Sequence, residues 1–323
     1  MNEHDVKIIT FGAATQDVFL QGKALTAKRD VRSKDTVEQF PLGSKTDIDG
    51  IVFDTGGGAT NAAVTFARQG LNTGYVGKIG HDPAGAEIMR VLKRENVATD
   101  KVIYDARLST GYSTILIAPS GERAILTHRG ASQELKTKEV AIRNLEADWF
   151  YLSTLHGNFD LLEKLLKHAN THGIQVAIDP GAAELAQPKK LRALLPLISV
   201  LKANADELRL IFGGENLRQT VVAANGVCPY VVGTNGAAGA YAVFRGSLYQ
   251  VGQYQKVKVV DRTGAGDAFG SGFVAALAKG LAIEDALTLG SANATSVVTK
   301  VGSKPGILTT HRIRRMKVKL TTI

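Results

Sequence analysis

Asp261-Arg262-Thr263-Gly264-Ala265-Gly266-Asp267-Ala268-Phe269-Gly270-Ser271-Gly272-Phe273 is the stretch on which the reading of this chain turns. It follows a β-like run at residues 257–260 and leads into a helix-compatible segment at residues 268–279. Small residues at Gly264, Ala265 and Gly266 let an anion approach the backbone N–H groups of a helix N-terminus, where the dipole is positive. The turn is therefore a candidate anion hole. A carboxylate at the next position, Asp267, is no anion ligand; it suits a base that takes a proton from a hydroxyl attacking a phosphoryl group. The competing reading is structural: glycines for close helix packing, with Asp267 as a helix cap.

Outward from this turn, short apolar runs alternate with helix-like segments. Residues 6–11, 75–76, 149–152, 175–178, 199–202 and 230–232 read as strands. The segment after Gly58, the segment from Pro83 through Glu95, and residues 160–171 and 206–212 read as helices. This order argues for an α/β fold whose mostly parallel central sheet carries helices on both faces. Two stretches interrupt it. Residues 18–54 are long and charged, with Lys23, Lys28, Arg29, Arg32 and Lys34 among several acids. Residues 112–128 alternate apolar and polar about Ser120-Gly121, the pattern of a β-hairpin. Segments of about 18–54 and 108–130 are expected to form a small β lid within a single domain spanning residues 1–323. A lid closes over a ligand and excludes water. A plain surface excursion or a dimer contact is the alternative.

The thirteen-residue string resembles the C-terminal signature of the ribokinase-like (PfkB) carbohydrate kinases, with Asp267 at the position of the catalytic base. Gly56-Gly57-Gly58-Ala59-Thr60-Asn61-Ala62-Ala63 is similar to the first signature of that family, a diglycine leading into a helix with an Asn. The resemblance runs from about residue 6 to 310 and implies a three-layer ribokinase-like sandwich with a lid. It implies that Gly57, Gly58 and Asn61 meet sugar hydroxyls, and an amide both donates to and accepts from such groups. Asp17, in Gly12-Ala13-Ala14-Thr15-Gln16-Asp17, falls where the family grips sugar hydroxyls with a carboxylate. A turn residue is its other reading. Arg129 ends the proposed hairpin; its guanidinium suits a carboxylate or phosphate, or else faces solvent. His156 follows a strand end and is expected to be a satisfied, non-catalytic histidine. Cys228, beside Pro229, is expected to be structural.

For the nucleotide, the resemblance implies ATP with Mg²⁺. Asn204-Ala205-Asp206-Glu207 resembles the family's Asn-x-x-Glu motif, with Glu207 acting on magnesium through water and Asn204 at the phosphates; an ordinary helix cap competes with this. Thr234-Asn235-Gly236-Ala237-Ala238-Gly239 is similar to the family's nucleotide loop, which assigns Thr234, Gly236 and Gly239 to ATP. Asn293 stands as a candidate adenine contact or as a polar residue on a small-residue helix face. Asp261 and Thr263 fall where some relatives hold a monovalent cation such as K⁺. Arg262 departs from the family pattern, which has a small or hydroxyl side chain there.

Composition sets the outer bounds. The chain has 323 residues, 44% hydrophobic and 21% charged, within the range of ordinary globular proteins. No run of about 18 apolar residues occurs, and the N-terminus lacks signal-peptide character, so no membrane association and a cytoplasmic location are expected. A single cysteine excludes an intramolecular disulfide. The formal charge of +9 favours anionic partners, and part of it lies in the basic stretch at residues 311–319. That stretch reads as a solvated tail, because no nucleic-acid motif accompanies it. The reading is an ATP-dependent kinase acting on a hydroxyl of a sugar or sugar-like molecule, dimerising through its lid if apolar lid positions are exposed. A nucleoside kinase and a catalytically silent ligand-binding regulator are the alternatives. A nicotinamide enzyme is disfavoured because no Gly-x-Gly-x-x-Gly follows the first strand.

Overall fold

Residues alternating between two apolar environments dictate a sheet covered on both sides. In the structure, a computed structural model describing residues 6–26, 28–29, 36–40, 42–119, 123–254, 256–309 and 319–322, that is what forms. Ile8, Tyr151, Ala177 and Val200 pack with Phe66, Phe273 and Leu287 on one face of the sheet. Their neighbours Ile9, Phe150, Val176 and Leu201 pack with Leu161, Leu165, Leu208 and Val221 on the other. Successive side chains of a strand point to opposite faces, so each apolar run feeds both cores.

The large sheet runs in the spatial order 319–322, 247–251, 240–244, 230–234, 200–204, 175–178, 149–152, 7–11, 72–76. Six strands, from Tyr230–Thr234 to Asn72–Val76, are mutually parallel. The remaining three, Ala240–Phe244, Ser247–Val251 and Lys319–Thr322, extend one edge antiparallel. This edge was not legible in the sequence. The expected strand at residues 257–260 is not one: the segment runs as a loop, with the Val260 amide donating to the Val298 carbonyl at 2.7 Å. Of the basic stretch, residues 311–318 lie outside the described residues.

Strands Thr15–Gln21, Gly50–Gly56, Gly111–Ile117 and Arg123–His128 form a separate four-stranded sheet. Gly111–Ile117 and Arg123–His128 pair antiparallel as the expected hairpin, whose turn at residues 120–122 lies outside the described residues. By strand alternation, Asp17, Phe19, Val52, Asp54, Ser113 and Ile115 share one lid face, and Val18, Ile51, Phe53, Tyr112 and Leu126 the other. On the first face Phe19, Ile115 and Ile117 cluster with Val301 of the body. On the second, Ile51, Phe53, Tyr112 and Leu126 are exposed.

Candidate active site

Five strand ends bring the site together. In a parallel sheet the carboxyl ends share one edge, and ligands bind where the strand order reverses. Here the first strand lies between Asn72–Val76 and Trp149–Leu152, so the reversal falls beside Gly12 and Ser153. A Cβ on Gly12 would stand 2.9 Å from the Thr154 carbonyl, which shows how closely these two strand ends approach. Asp179, Asn204 and Thr234 continue the same edge, and Asn204 and Thr234 are register partners.

Helix Ala265–Ala278 points its N-terminus at this edge. Gly264 caps it with φ 76°, a left-handed conformation that glycine adopts without steric cost. The first amides of a helix have no partner within it. Ala265 N reaches the Arg262 carbonyl at 3.3 Å, and among the described residues no acceptor takes the amides of Gly266 and Asp267. The helix is apolar on nearly every side because it is sandwiched between the sheet and helices Gly58–Arg68 and Ile283–Val297. Its glycines permit that contact: a Cβ on Gly272 would lie 3.1 Å from the Leu289 carbonyl. The packing reading of this string holds at its later glycines, and the first amides of the helix are left open to an acceptor.

Asp267 is the third residue of that helix, and its Oδ2 accepts from Asn61 Nδ2 at 2.8 Å. Asn61 sits on helix Gly58–Arg68, whose entry is forced by Gly57 at φ 94°; a Cβ there would strike the Ala13 carbonyl at 2.3 Å. A Cβ on Gly58 would lie 2.3 Å from Ser153 Oγ and 3.3 Å from Asp267 Oδ1, so the diglycine lines the approach to that carboxylate. Asn61 is buried, and its Oδ1 accepts from Ser303 Oγ at 2.9 Å and Lys304 Nζ at 2.7 Å. Its amide is therefore turned towards Asp267 and the interior.

Asp17 lies on the lid face that turns towards the body. It is buried, accepts from Thr15 Oγ1 at 2.8 Å, and lies close enough to Gly56 that a Cβ there would collide with it. Burial pushes its carboxyl up from the ordinary range, opposed by hydrogen bonds and the nearby Lys304 ammonium. Arg129 is exposed just past the lid hairpin. His156 differs from expectation. Its Nε2 is buried with no hydrogen-bond partner among the described residues, its backbone has φ 53°, and burial together with the Arg129 charge lowers its pKa. Cys228 fits its structural reading: it is buried, donates to the Tyr230 carbonyl at 3.2 Å, and burial pushes its thiol up to about 12.

On the nucleotide side, Asn204 and Glu207 form a capping box for helix Ala205–Phe212. Asn204 Oδ1 accepts from the amides of Asp206 and Glu207 at 3.0 Å each, and Glu207 Oε2 accepts from the Asn204 amide at 2.7 Å. Thr234 ends its strand beside them, and the Gly236–Ala238 turn closes through Asn235 N and the Gly239 carbonyl at 2.9 Å. Gly239 has φ 89°, and a Cβ there would meet the Val251 carbonyl at 2.1 Å. Asn293 is placed elsewhere. It is fully buried, donates to the Ala268 carbonyl at 2.8 Å and to Thr65 Oγ1 at 3.3 Å, and accepts from Leu308 N at 2.9 Å. It ties three segments together inside the body, so the adenine contact is not where its side chain lies.

For metals, no group of three His, Cys, Asp or Glu side chains gathers among the described residues. Mg²⁺ keeps most of its waters and binds chiefly through phosphate oxygens, so one carboxylate at the edge suffices. Glu207, with Oε2 engaged by its cap, fits that role through its other oxygen. The residues of the monovalent-cation assignment are held by a turn. Asp261 Oδ1 accepts from Thr263 N at 2.9 Å and Oγ1 at 2.8 Å, and Oδ2 from Gly302 N at 3.1 Å. Asp261 thus fastens the Thr263 turn to Gly302, and its remaining lone pairs and those of Thr263 Oγ1 are the oxygen ligands a cation would use there.

Three charged residues were missed in the sequence. Lys202 and Asp179 pair at 2.8 Å, and a Cβ on Gly266 would lie 3.2 Å from Lys202 Nζ. Lys202 ends an otherwise apolar run, which was the available signal: a lysine in a buried strand needs a partner. Burial works against its charge, but Asp179, Asp267 and Glu207 together hold its pKa above the ordinary value. Burial raises Asp179 to about 6, against the pull of Lys202. Lys304, 3% exposed, carries no sequence signal at all.

The comparisons with known proteins agree with this geometry. Ribokinase of Haemophilus influenzae is 29% identical over 264 residues, covering 79% of this chain and 84% of its own. The solved nucleoside kinase of Methanocaldococcus jannaschii superposes with a TM-score of 0.76 at 23% identity, covering 94% of this chain and 95% of its own. Ribokinase of Cryptococcus neoformans, solved with ADP, gives 0.75 at 22% identity, covering 94% and 97%. The model of the pfkB family carbohydrate kinases matches residues 31–310. That match spans most of the sequence, and the chain belongs to the pfkB family of carbohydrate kinases, phosphotransferases that use ATP and a hydroxyl acceptor.

Proposed function

We propose that Asp267 takes the proton of an acceptor hydroxyl as that oxygen attacks the γ-phosphorus of ATP. The bond from phosphorus to the β,γ-bridging oxygen breaks, and ADP leaves. The observation that carries this is the position of Asp267: a carboxylate in the first turn of a helix whose leading amides face outward, reached across the Gly57–Gly58 turn. The amides of Gly266 and Asp267, with Lys202 behind them, offset charge on the transferred group. Asp17, on the inward lid face, binds acceptor hydroxyls. Mg²⁺, held through phosphate oxygens and by Glu207 through water, supplies charge neutralisation at the nucleotide.

A sugar is favoured over a nucleoside. Of the phenylalanines available for a purine wall, Phe19 is wholly buried, Phe53 lies on the opposite lid face from Asp17, and Phe40 lies outside the four lid strands. That outer face, with Ile51, Phe53 and Leu126 exposed, supports self-association through the lid, which sedimentation at micromolar concentration tests. No helix among the described residues is long and apolar enough to cross a membrane. The deciding experiment measures ADP release with a panel of sugars and nucleosides, alongside Asp267→Asn. Release with a sugar that is abolished in the variant supports the reading. Release with nucleosides alone transfers the assignment to them, and no release with any acceptor overturns it.

A further inference from the structure

Lys304 belongs to no motif, yet the fold draws it beneath the acceptor side of the site. Its ammonium donates to the Thr55 carbonyl, to Thr60 Oγ1 at 3.0 Å and to Asn61 Oδ1 at 2.7 Å. None of the three can exchange roles with it. Thr55 offers a carbonyl oxygen. The Thr60 hydroxyl already donates to the Gly56 carbonyl at 2.6 Å, so towards Lys304 it accepts. Asn61 Oδ1 accepts from Ser303 Oγ as well, at 2.9 Å. Three acceptors claim three N–H groups, which an ammonium has and a neutral amine lacks.

The consequence reaches the base. With two donors on Oδ1, the Asn61 amide has one favourable orientation, in which Nδ2 faces Asp267 Oδ2 at 2.8 Å. The flipped amide sets its oxygen against the carboxylate and its NH₂ against the ammonium, two repulsive contacts. Holding Oδ2 in this way leaves Oδ1, on the Gly58 side, for the acceptor's proton.

We propose that Lys304 is a positioning residue for phosphoryl transfer, acting through Asn61 to fix which oxygen of Asp267 meets the acceptor. This rests on Asp267 being the base. The charged groups around Lys304 come from every element packed on it. They are Asp17 and Asp54 of the lid, Asp267 of its helix, and Glu95 after helix Pro83–Arg94. Arg68 joins them, its guanidinium holding the Lys304 carbonyl at 3.0 Å. Against those carboxylates, burial still lowers the ammonium to about 8.

The test compares the full-length wild type with Lys304→Met on an acceptor that the wild type phosphorylates. The expected result is a kcat at least tenfold lower per folded molecule, with KM for ATP within threefold. The wild-type kcat should also fall above about pH 8, and that alkaline limb should be absent from the variant. A residue serving structure alone changes neither kcat per folded molecule nor the limb, so either quantity unchanged overturns the proposal. Should the variant not fold, a wild-type kcat that stays flat while the Lys304 ammonium signal titrates, read by ¹⁵N-lysine NMR, overturns it equally. A readout without turnover separates this from the kinase reading. ¹⁵N-lysine NMR should show a protected NH₃⁺ signal at pH 7 that titrates near 8. A neutral amine at pH 7 sinks the role of Lys304 whether or not any acceptor is phosphorylated.

Discussion

Lys202, inside strand Val200–Asn204, and Asp179, just past the end of the neighbouring strand Gln175–Ile178, stand 2.8 Å apart, the lysine 5% exposed, directly under the turn that opens the Asp267 helix. The pair places a fixed positive charge behind the outward-facing amides. Replacing Lys202 with Met leaves the Asp179 carboxylate buried without its partner. Breaking a buried pair from one side costs about 3–5 kcal/mol. Urea denaturation should show a loss of that order, together with a raised KM for ATP; a loss under about 1 kcal/mol would mean that the pair is solvated.

Asp267→Asn keeps the shape and the contact with Asn61, since a carboxamide oxygen accepts as a carboxylate oxygen does. It removes the proton acceptor. Turnover should drop by about 10²–10⁴-fold while ATP binding, read by calorimetry, persists. Near-normal turnover would remove Asp267 from the mechanism.

Asp17→Ala deletes a lid carboxylate on the acceptor side and touches nothing at the nucleotide edge. We expect KM for the acceptor to rise about tenfold or more, and KM for ATP to stay within about threefold, the loss of one charged hydrogen bond. Equal losses for both substrates would make Asp17 a structural residue.

Stability should depend on pH through Lys304. Its folded pKa of about 8 lies below the unfolded value near 10.5. Between these values the unfolded chain holds a proton that the native protein has released, so stability rises with pH across the window and the gain is lost as pH falls through 8. The full span is on the order of 3 kcal/mol. The difference in unfolding free energy between wild type and Lys304→Met should therefore grow in favour of the wild type from pH 8 to 10.5, measured by chemical denaturation. A constant difference would show that the buried lysine keeps an ordinary pKa.

The layered parallel fold, the lid hairpin and the two glycine turns that meet at Asp267 were all legible in the chain's local pattern. These are local facts: short apolar runs make the buried strands, period-two alternation makes the hairpin, and glycines at Gly57 and Gly264 permit the positive φ that each turn requires. Which polar side chains serve those turns depends on contacts between distant segments. Asn293 reads either as an adenine contact or as a polar residue on a small-residue helix face, and is an internal tie, while Lys304, 243 positions from Asn61, donates to the amide that faces Asp267. A buried charge takes its meaning from the partners that enclose it, and those come from segments far apart in the chain, so spacing along the sequence cannot reveal them.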